Sequence, residues 1–150
     1  MIKVYQTSVF ETPAQTIINT VNCVGVMGKG LAAACSDRWP AMFDAYRQRC
    51  LNGELKPGKL LLYKTDTVWI LNFPTKINWK YPSKIEWIEA GLQSFVRNYE
   101  RMGITSINIP PLGCANGGLD WVTEVEPLIR QYLEPLSNIE INLCINNVRR

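Results

Sequence analysis

Residues 19–35, NTVNCVGVMGKGLAAAC, place Gly25, Gly28 and Gly30 just ahead of an alanine-rich helical pattern. Residues 110–121, PPLGCANGGLDW, repeat the design, with Gly113, Gly117 and Gly118 leading to another helical pattern that starts after Asp120. Glycine admits positive φ and lets backbone come close to a ligand. Glycines ahead of a helix can turn several N–H groups, and the helix's positive end, onto one phosphate. Two such loops predict a diphosphate gripped from both sides. The first loop is not a Walker loop, because its lysine falls between glycines and the magnesium-binding hydroxyl is missing. A dinucleotide fingerprint can be laid over Gly28 to Ala33, but the preceding strand ends well before the first glycine, and the chain is short for two nucleotide-binding halves.

The chain has 150 residues, 47% apolar and 19% charged, which suits one globular domain with a real core. No apolar run reaches membrane-spanning length, and the start, MIKVYQTSVF, alternates like a strand rather than a leader. The net charge of +3 fits an anionic ligand but is not the footprint of a strong duplex-DNA binder. There is no histidine, which removes Ser-His and Cys-His nucleophiles and most zinc sites. Without clustered carboxylates at the loops either, no metal and no cofactor is expected. Five cysteines, Cys23, Cys35, Cys50, Cys114 and Cys144, make no CxxC pair and read as free thiols of a cytoplasmic protein. Cys23 and Cys114 fall inside the loops, yet neither has an evident activator.

The elements that must hold these loops alternate between strand and helix. Strands are expected at 2–7, 15–21, 59–64, 67–73, 104–109 and 139–145, with Thr65-Asp66 as a tight connection. Helices are expected at 29–36, 40–52, 84–101 and 121–133, with Gly53 and Gly103 as stops. Ser83 with Glu86 forms a capping-box pattern, and Ile85, Ile88, Leu92, Phe95 and Tyr99 share one face of the third helix. Trp69, Phe73, Trp87 and Trp121 are read as packing residues, and Arg149-Arg150 as a solvated tail. This is an α/β fold whose ligand belongs in loops beyond the carboxyl ends of the strands.

INTVNCVGVMGKGLA together with IPPLGCANGGLDW resembles the macrodomains, ADP-ribose-binding modules with a three-layer α/β/α fold around a mixed six-stranded sheet. The likeness covers essentially the whole chain as one domain. The segment ILNFPTKINWKYPS (70–83) is similar to the branch holding the DarG antitoxins and the human terminal-ADP-ribose glycohydrolase. DarG-type proteins remove ADP-ribose that a DarT toxin attaches to thymidine in single-stranded DNA.

The resemblance implies a site, residue by residue. Asn22 would lie beside the distal ribose, and Gly25, Val26, Met27, Gly28, Lys29, Gly30 and Leu31 would wrap ribose and diphosphate. Leu112, Gly113, Cys114, Ala115, Asn116, Gly117, Gly118 and Leu119 would oppose them, with Asn19 and Thr75 among the ligand contacts. Lys76, in the PTK segment, and Asp120 would be catalytic, with Asn22. Most macrodomains carry an acid after the first strand that reads the adenine amino group. Here Ser8 stands in its place, so adenine recognition would rest on Ser8 and on backbone near Val9.

Cleavage of a glycosidic bond to ribose passes through an oxocarbenium-like state. A lysine of lowered pKa could attack it, and crowding by Lys80 and Lys84 would help lower Lys76. Attack by water, with Lys76 as electrostatic support, is the rival. Trp79 and Lys80, with Tyr81 alongside, have the alternation of a nucleic-acid contact; a loop tucked onto the sheet is the other reading. The expectation is therefore a monomeric ADP-ribosyl glycohydrolase acting on ADP-ribosylated single-stranded DNA, with a DarT-like toxin as partner. A non-catalytic ADP-ribose reader, a hydrolase of ADP-ribose esters on acidic side chains and an ADP-ribose 1″-phosphate phosphatase stand beside it.

Overall fold

A computed structural model describes residues 1–146; the Arg149-Arg150 tail lies outside the described residues. In chain order the elements are β1 (Ile2–Tyr5), β2 (Thr16–Val21), α1 (Gly30–Arg38), α2 (Pro40–Leu51), β3 (Leu61–Lys64), β4 (Trp69–Pro74), α3 (Ile85–Met102), β5 (Ser106–Ile109), α4 (Glu126–Leu133) and β6 (Glu140–Cys144). A π-helical turn, Trp121–Val125, leads directly into α4, so the helix expected at 121–133 is two segments of different pitch.

The six strands form one sheet in the order β1-β6-β5-β2-β4-β3. Every neighbouring pair is parallel except β3–β4, so the sheet is mixed, as expected. Side chains alternate between faces along a strand, and the core divides accordingly. Ile18, Leu71, Phe73, Ile107, Ile109, Ile141 and Leu143 pack against Ile88, Leu92 and Phe95 of α3 and Ile129 and Leu133 of α4. On the opposite face Ile17, Val21 and Ile70 pack against Cys35 of α1 and Met42 and Tyr46 of α2. Helices on both faces make three layers. Each large apolar side chain buried this way contributes roughly 1.5–3 kcal/mol relative to exposure. The α3 layer sits very close to the sheet at Gly91, where a Cβ would come within 2.1 Å of the Phe73 ring.

Helix α3 follows its apolar spacing, burying Ile88, Leu92, Phe95 and Tyr99, and stops at Gly103, whose φ of 81° only glycine takes easily. Its start differs from expectation. Lys84 occupies the N-cap position with no side-chain cap, and the Ser83 N–H instead donates to the Gly117 carbonyl at 2.9 Å. The Ser83 backbone holds the second glycine loop, while its hydroxyl, which local capping chemistry would have used, is buried without a partner among the described residues.

Candidate active site

The parallel strands β1, β2, β4, β5 and β6 all end at one edge of the sheet, and the segments leaving them enclose a cleft of about 1150 Å³. That is ample for a dinucleotide-sized ligand. Both glycine loops line it, together with residues 8–10, Thr75, Lys76 and residues 79–82, so separated stretches of sequence converge on one space.

Asn22 organises the first loop. Its Nδ2 donates to the Val26 carbonyl at 2.8 Å, while its Oδ1 accepts the N–H groups of Val24 and Val26 at 3.1 and 3.3 Å. Gly25 turns within this loop at φ 89°, against the side chains of Arg47 and Cys50. The loop then runs into α1, whose N-cap residue, Lys29, makes no side-chain cap. The first-turn N–H groups of α1 are left at the cleft, and both they and the helix dipole favour an anion there.

The second loop closes on itself through Leu119 N–H to the Gly113 carbonyl at 3.0 Å, with Gly113 at φ 71° and Gly118 at φ 80°. Gly117 is pressed so near this turn that a Cβ would lie 2.2 Å from the Gly113 oxygen. Glycine is required there by close approach, whereas Gly118 is required by its backbone angle alone.

Lys76 sits between the loops. Thr75 N–H donates to the Val21 carbonyl at 2.9 Å, Cys23 N–H to the Ile77 carbonyl at 3.0 Å, and the Cys23 thiol approaches the Lys76 carbonyl at 3.4 Å. The lysine backbone is thus stitched to the first glycine loop, and its Nζ donates to the Trp79 carbonyl at 3.3 Å. Partial burial lowers its pKa from the usual lysine value, and the Lys29 ammonium lowers it further. The crowding charge comes from Lys29 of the glycine loop and not from Lys80 or Lys84, whose ammonium groups lie over the rings of Trp79 and Trp87 at 5.5 and 5.4 Å.

Asp120 is both a cleft residue and a helix cap. Its Oδ2 accepts the Thr123 N–H at 2.8 Å and the Thr123 hydroxyl at 2.6 Å. These bonds stabilise the carboxylate and hold its pKa below the ordinary aspartate value. Burial works the other way on the thiols in the loops, raising Cys23 to about 11 and Cys114 to about 12, where they are protonated and poor nucleophiles.

At the far end of the cleft, Ser8 is held in a local turn. Its N–H donates to a Glu11 carboxylate oxygen at 2.9 Å, and its hydroxyl accepts the Phe10 N–H at 3.2 Å. Val9 is buried, and its carbonyl is fixed by Asn108 Nδ2 at 3.0 Å.

Of the residues expected to touch ligand, Asn19, Gly25, Met27 and Leu112 are buried behind the lining, and Gly118 is exposed outside it. Asn19 is fully buried on the α1/α2 face, donating to Asn72 Oδ1 on β4 at 3.0 Å. Other lining residues carried no signal in the sequence. Phe10 is clamped beneath Arg38 at 3.9 Å and beside Trp39 at 6.2 Å, and presents an aromatic side chain near Ser8. Trp121, read only as a packing residue, is buried yet lines the cleft, and its indole N–H has no acceptor among the described residues.

Residues 18–127, which hold both glycine loops and Lys76, match the Macro domain family. The chain is a macrodomain. It is 37% identical over 145 residues to the DNA ADP-ribosyl glycohydrolase of Thermus aquaticus, covering 94% of this chain and 40% of that protein. The enzyme of the same name from Mycobacterium tuberculosis is 42% identical over 130 residues, covering 84% of this chain and 37% of its own length. This macrodomain therefore spans about two fifths of the curated relatives it matches. Against the macrodomain of Mycobacterium tuberculosis DarG it superposes with a TM-score of 0.91 at 38% identity, covering 96% and 97% of the two chains. Against Thermosipho africanus DarTG in complex with ADP-ribose the TM-score is 0.92 at 37% identity, covering 99% of this macrodomain and 42% of that protein. The DarG-type resemblance read from ILNFPTKINWKYPS holds across the fold.

Proposed function

We propose that this macrodomain binds ADP-ribose and hydrolyses the glycosidic bond joining it to thymidine in single-stranded DNA. The observation that carries the reading is Lys76. It is a lysine of lowered pKa, stitched to the first glycine loop and set in a cleft that ends, on the opposing loop, at an ionised Asp120. A reader of ADP-ribose needs only the two loops, whereas a lysine of lowered pKa beside them is suited to act as a nucleophile. The names and coverage of the relatives support the same reading.

In the cleft, the adenine lies towards Ser8, Val9 and Phe10, with the diphosphate between the α1 N-terminus and residues 113–117. The distal ribose then faces Asn22, Lys76 and Asp120. Neutral Lys76 attacks the anomeric carbon; the new C–N bond forms as the bond to the base breaks, and the attacking amine gives up a proton to the departing base. The ribose ring then opens, its oxygen taking the second amine proton, to leave an imine on Lys76. Water then hydrolyses the lysine adduct and restores the amine. Asp120 is ionised near neutral pH, which suits it to accept a proton from that water rather than to supply one. The chain's own groups complete this sequence without a metal.

On this reading the protein works as a monomer in the cytoplasm, opposite a DNA ADP-ribosyl transferase. The Thermosipho africanus relative named as a fusion of that transferase with the glycohydrolase supports the pairing. The test is release of ADP-ribose from single-stranded DNA modified on thymidine, against a protein carrying glutamate-linked ADP-ribose. Wild type is expected to cleave the DNA, and Lys76→Ala to bind ADP-ribose with affinity within a few-fold while losing roughly 10²–10⁴ in rate. Wild type that binds ADP-ribose and cleaves neither substrate would make the domain a reader.

A further inference from the structure

Three large apolar side chains of the segment that carries Lys76 are left in water. Ile77 is 48% exposed, Trp79 49% and Tyr81 64%, all within five residues of one another. Exposed aromatics grouped at a binding site mark a contact surface. The segment from Thr75 to Lys84 carries Lys76, Lys80 and Lys84 and no acidic residue. Lys80 Nζ lies over one face of the Trp79 ring at 5.5 Å, so positive charge and aromatic ring stand at one place on the surface. The acid of the cleft, Asp120, belongs to the opposing loop.

The segment is held in shape. Asn78 Oδ1 accepts the Lys80 N–H at 3.0 Å and the Asn78 carbonyl accepts the Tyr81 N–H at 3.3 Å, so the backbone turns locally between Trp79 and Tyr81. One end is fastened to the first glycine loop through Cys23 and Ile77, and the other to the second through Ser83 and Gly117 at 2.9 Å. The exposed rings therefore stand in fixed register with the ADP-ribose cleft.

Resting on the proposed function, we infer that Trp79 and Tyr81 form a stacking platform for the unpaired bases flanking the modified nucleotide, with Lys80 on the adjoining phosphate. Ring faces bind any base, so the platform is indifferent to sequence. Bases inside a duplex are already stacked on one another and are not available to it. Positive charge without acid fits a polyanion. The platform makes the substrate a single strand, longer than the modified nucleotide itself.

The test compares kcat/KM on an ADP-ribosylated thymidine mononucleotide with that on a single-stranded oligonucleotide carrying the same modification centrally. Wild type is expected to favour the oligonucleotide, through KM. Trp79→Ala and Tyr81→Ser are each expected to lower that preference by roughly 5- to 150-fold, the usual worth of one base stack. Lys80→Gln is expected to flatten the salt dependence of log KM by about 0.7, one phosphate contact on a single strand. Equal kcat/KM on the two substrates in wild type, or a preference that survives both aromatic variants, overturns the inference.

Failure of the proposed function itself is separable by binding of an unmodified single strand. An oligothymidylate is expected to quench the tryptophan fluorescence component lost in Trp79→Phe, and the matching duplex is not. Absence of that quenching overturns the platform whether or not anything is cleaved. Binding of a purified DNA ADP-ribosyl transferase that needs Trp79 and Tyr81, without single-strand binding, would assign the surface to a protein instead.

Discussion

The Tyr46 hydroxyl of α2 lies 2.8 Å from the carboxamide oxygen of Asn22 and 2.9 Å from the Asn22 main-chain carbonyl. Tyr46 is buried, and its ionisation is pushed up by that burial, so the phenol is a fixed donor. A residue deep in the α1/α2 layer thereby sets the carboxamide that folds the first glycine loop. The shape of the first glycine loop is therefore set one layer behind the cleft.

Removing that hydroxyl tests the connection. Tyr46→Phe is expected to lower stability by about 1–3 kcal/mol, because it leaves the buried Asn22 carbonyl without its donor. ADP-ribose affinity should fall by roughly five- to tenfold as the loop loses its preferred shape. Thermal unfolding and calorimetric titration read the two effects. A drop in Tm with unchanged affinity would show that Tyr46 supports the core alone.

Lys76 gives the reaction a pH dependence of known sign. If the neutral amine attacks, kcat/KM rises with pH and levels off above an inflection that lies below the ordinary lysine value of about 10.4. Lys29→Gln removes one of the two causes of the shift, so the inflection should move upward while the contribution of burial remains. The stability linkage has the same direction. The unfolded chain holds this proton at pH values where the folded chain has released it, so stability rises with pH across that window. A profile that does not move in Lys29→Gln would remove Lys29 as the cause. Borohydride added during turnover should trap a covalent Lys76 adduct; its absence would favour direct attack by water.

Asp120 serves two purposes that substitution can separate. Asparagine is as good an N-cap as aspartate, so Asp120→Asn is expected to keep the bond to Thr123 and the melting temperature. Asp120→Ala should lower the melting temperature as the cap is lost. Both should slow cleavage, since both remove the carboxylate from the cleft. Full activity in Asp120→Asn would leave the residue as a cap and nothing more.

The two adjacent glycines of the second loop answer to different physics. Gly117→Ala places a Cβ 2.2 Å from the Gly113 oxygen and 2.5 Å from the Ser83 hydroxyl, so the turn must open. Stability should fall by about 1–3 kcal/mol, and ADP-ribose affinity with it. Gly118→Ala meets nothing within 4 Å and costs only its φ of 80°, about 1–2 kcal/mol, with affinity little changed because Gly118 lies outside the lining. Equal affinity losses in the two variants would contradict this division.

Much of this could be read from the chain. Strand and helix identities follow from side-chain period, which is local. The stops at Gly53 and Gly103, both at positive φ, follow from glycine's freedom at that angle. That the two glycine loops are paired features was legible too, because each puts glycines between a strand and a helix, and both line the same cleft. Boundaries shifted by a residue or two, as between 104–109 and Ser106–Ile109, where end residues join no ladder.

What required the tertiary structure is everything set by distance through space. Periodicity does not say that Asn19 meets Asn72 inside a layer, that Ser83 leaves its helix to hold Gly117, or that Phe10 is clamped by Arg38. Lys80 and Lys84 are near Lys76 in sequence, yet the charge that lowers its pKa is Lys29, 47 residues away along the chain (76 − 29). Coulomb interaction depends on separation and screening and is blind to chain position. The sequence alone determined which residue types and turns could bind a diphosphate. Only the packing of two helical layers on a shared sheet edge decided which of them face one another across the cleft.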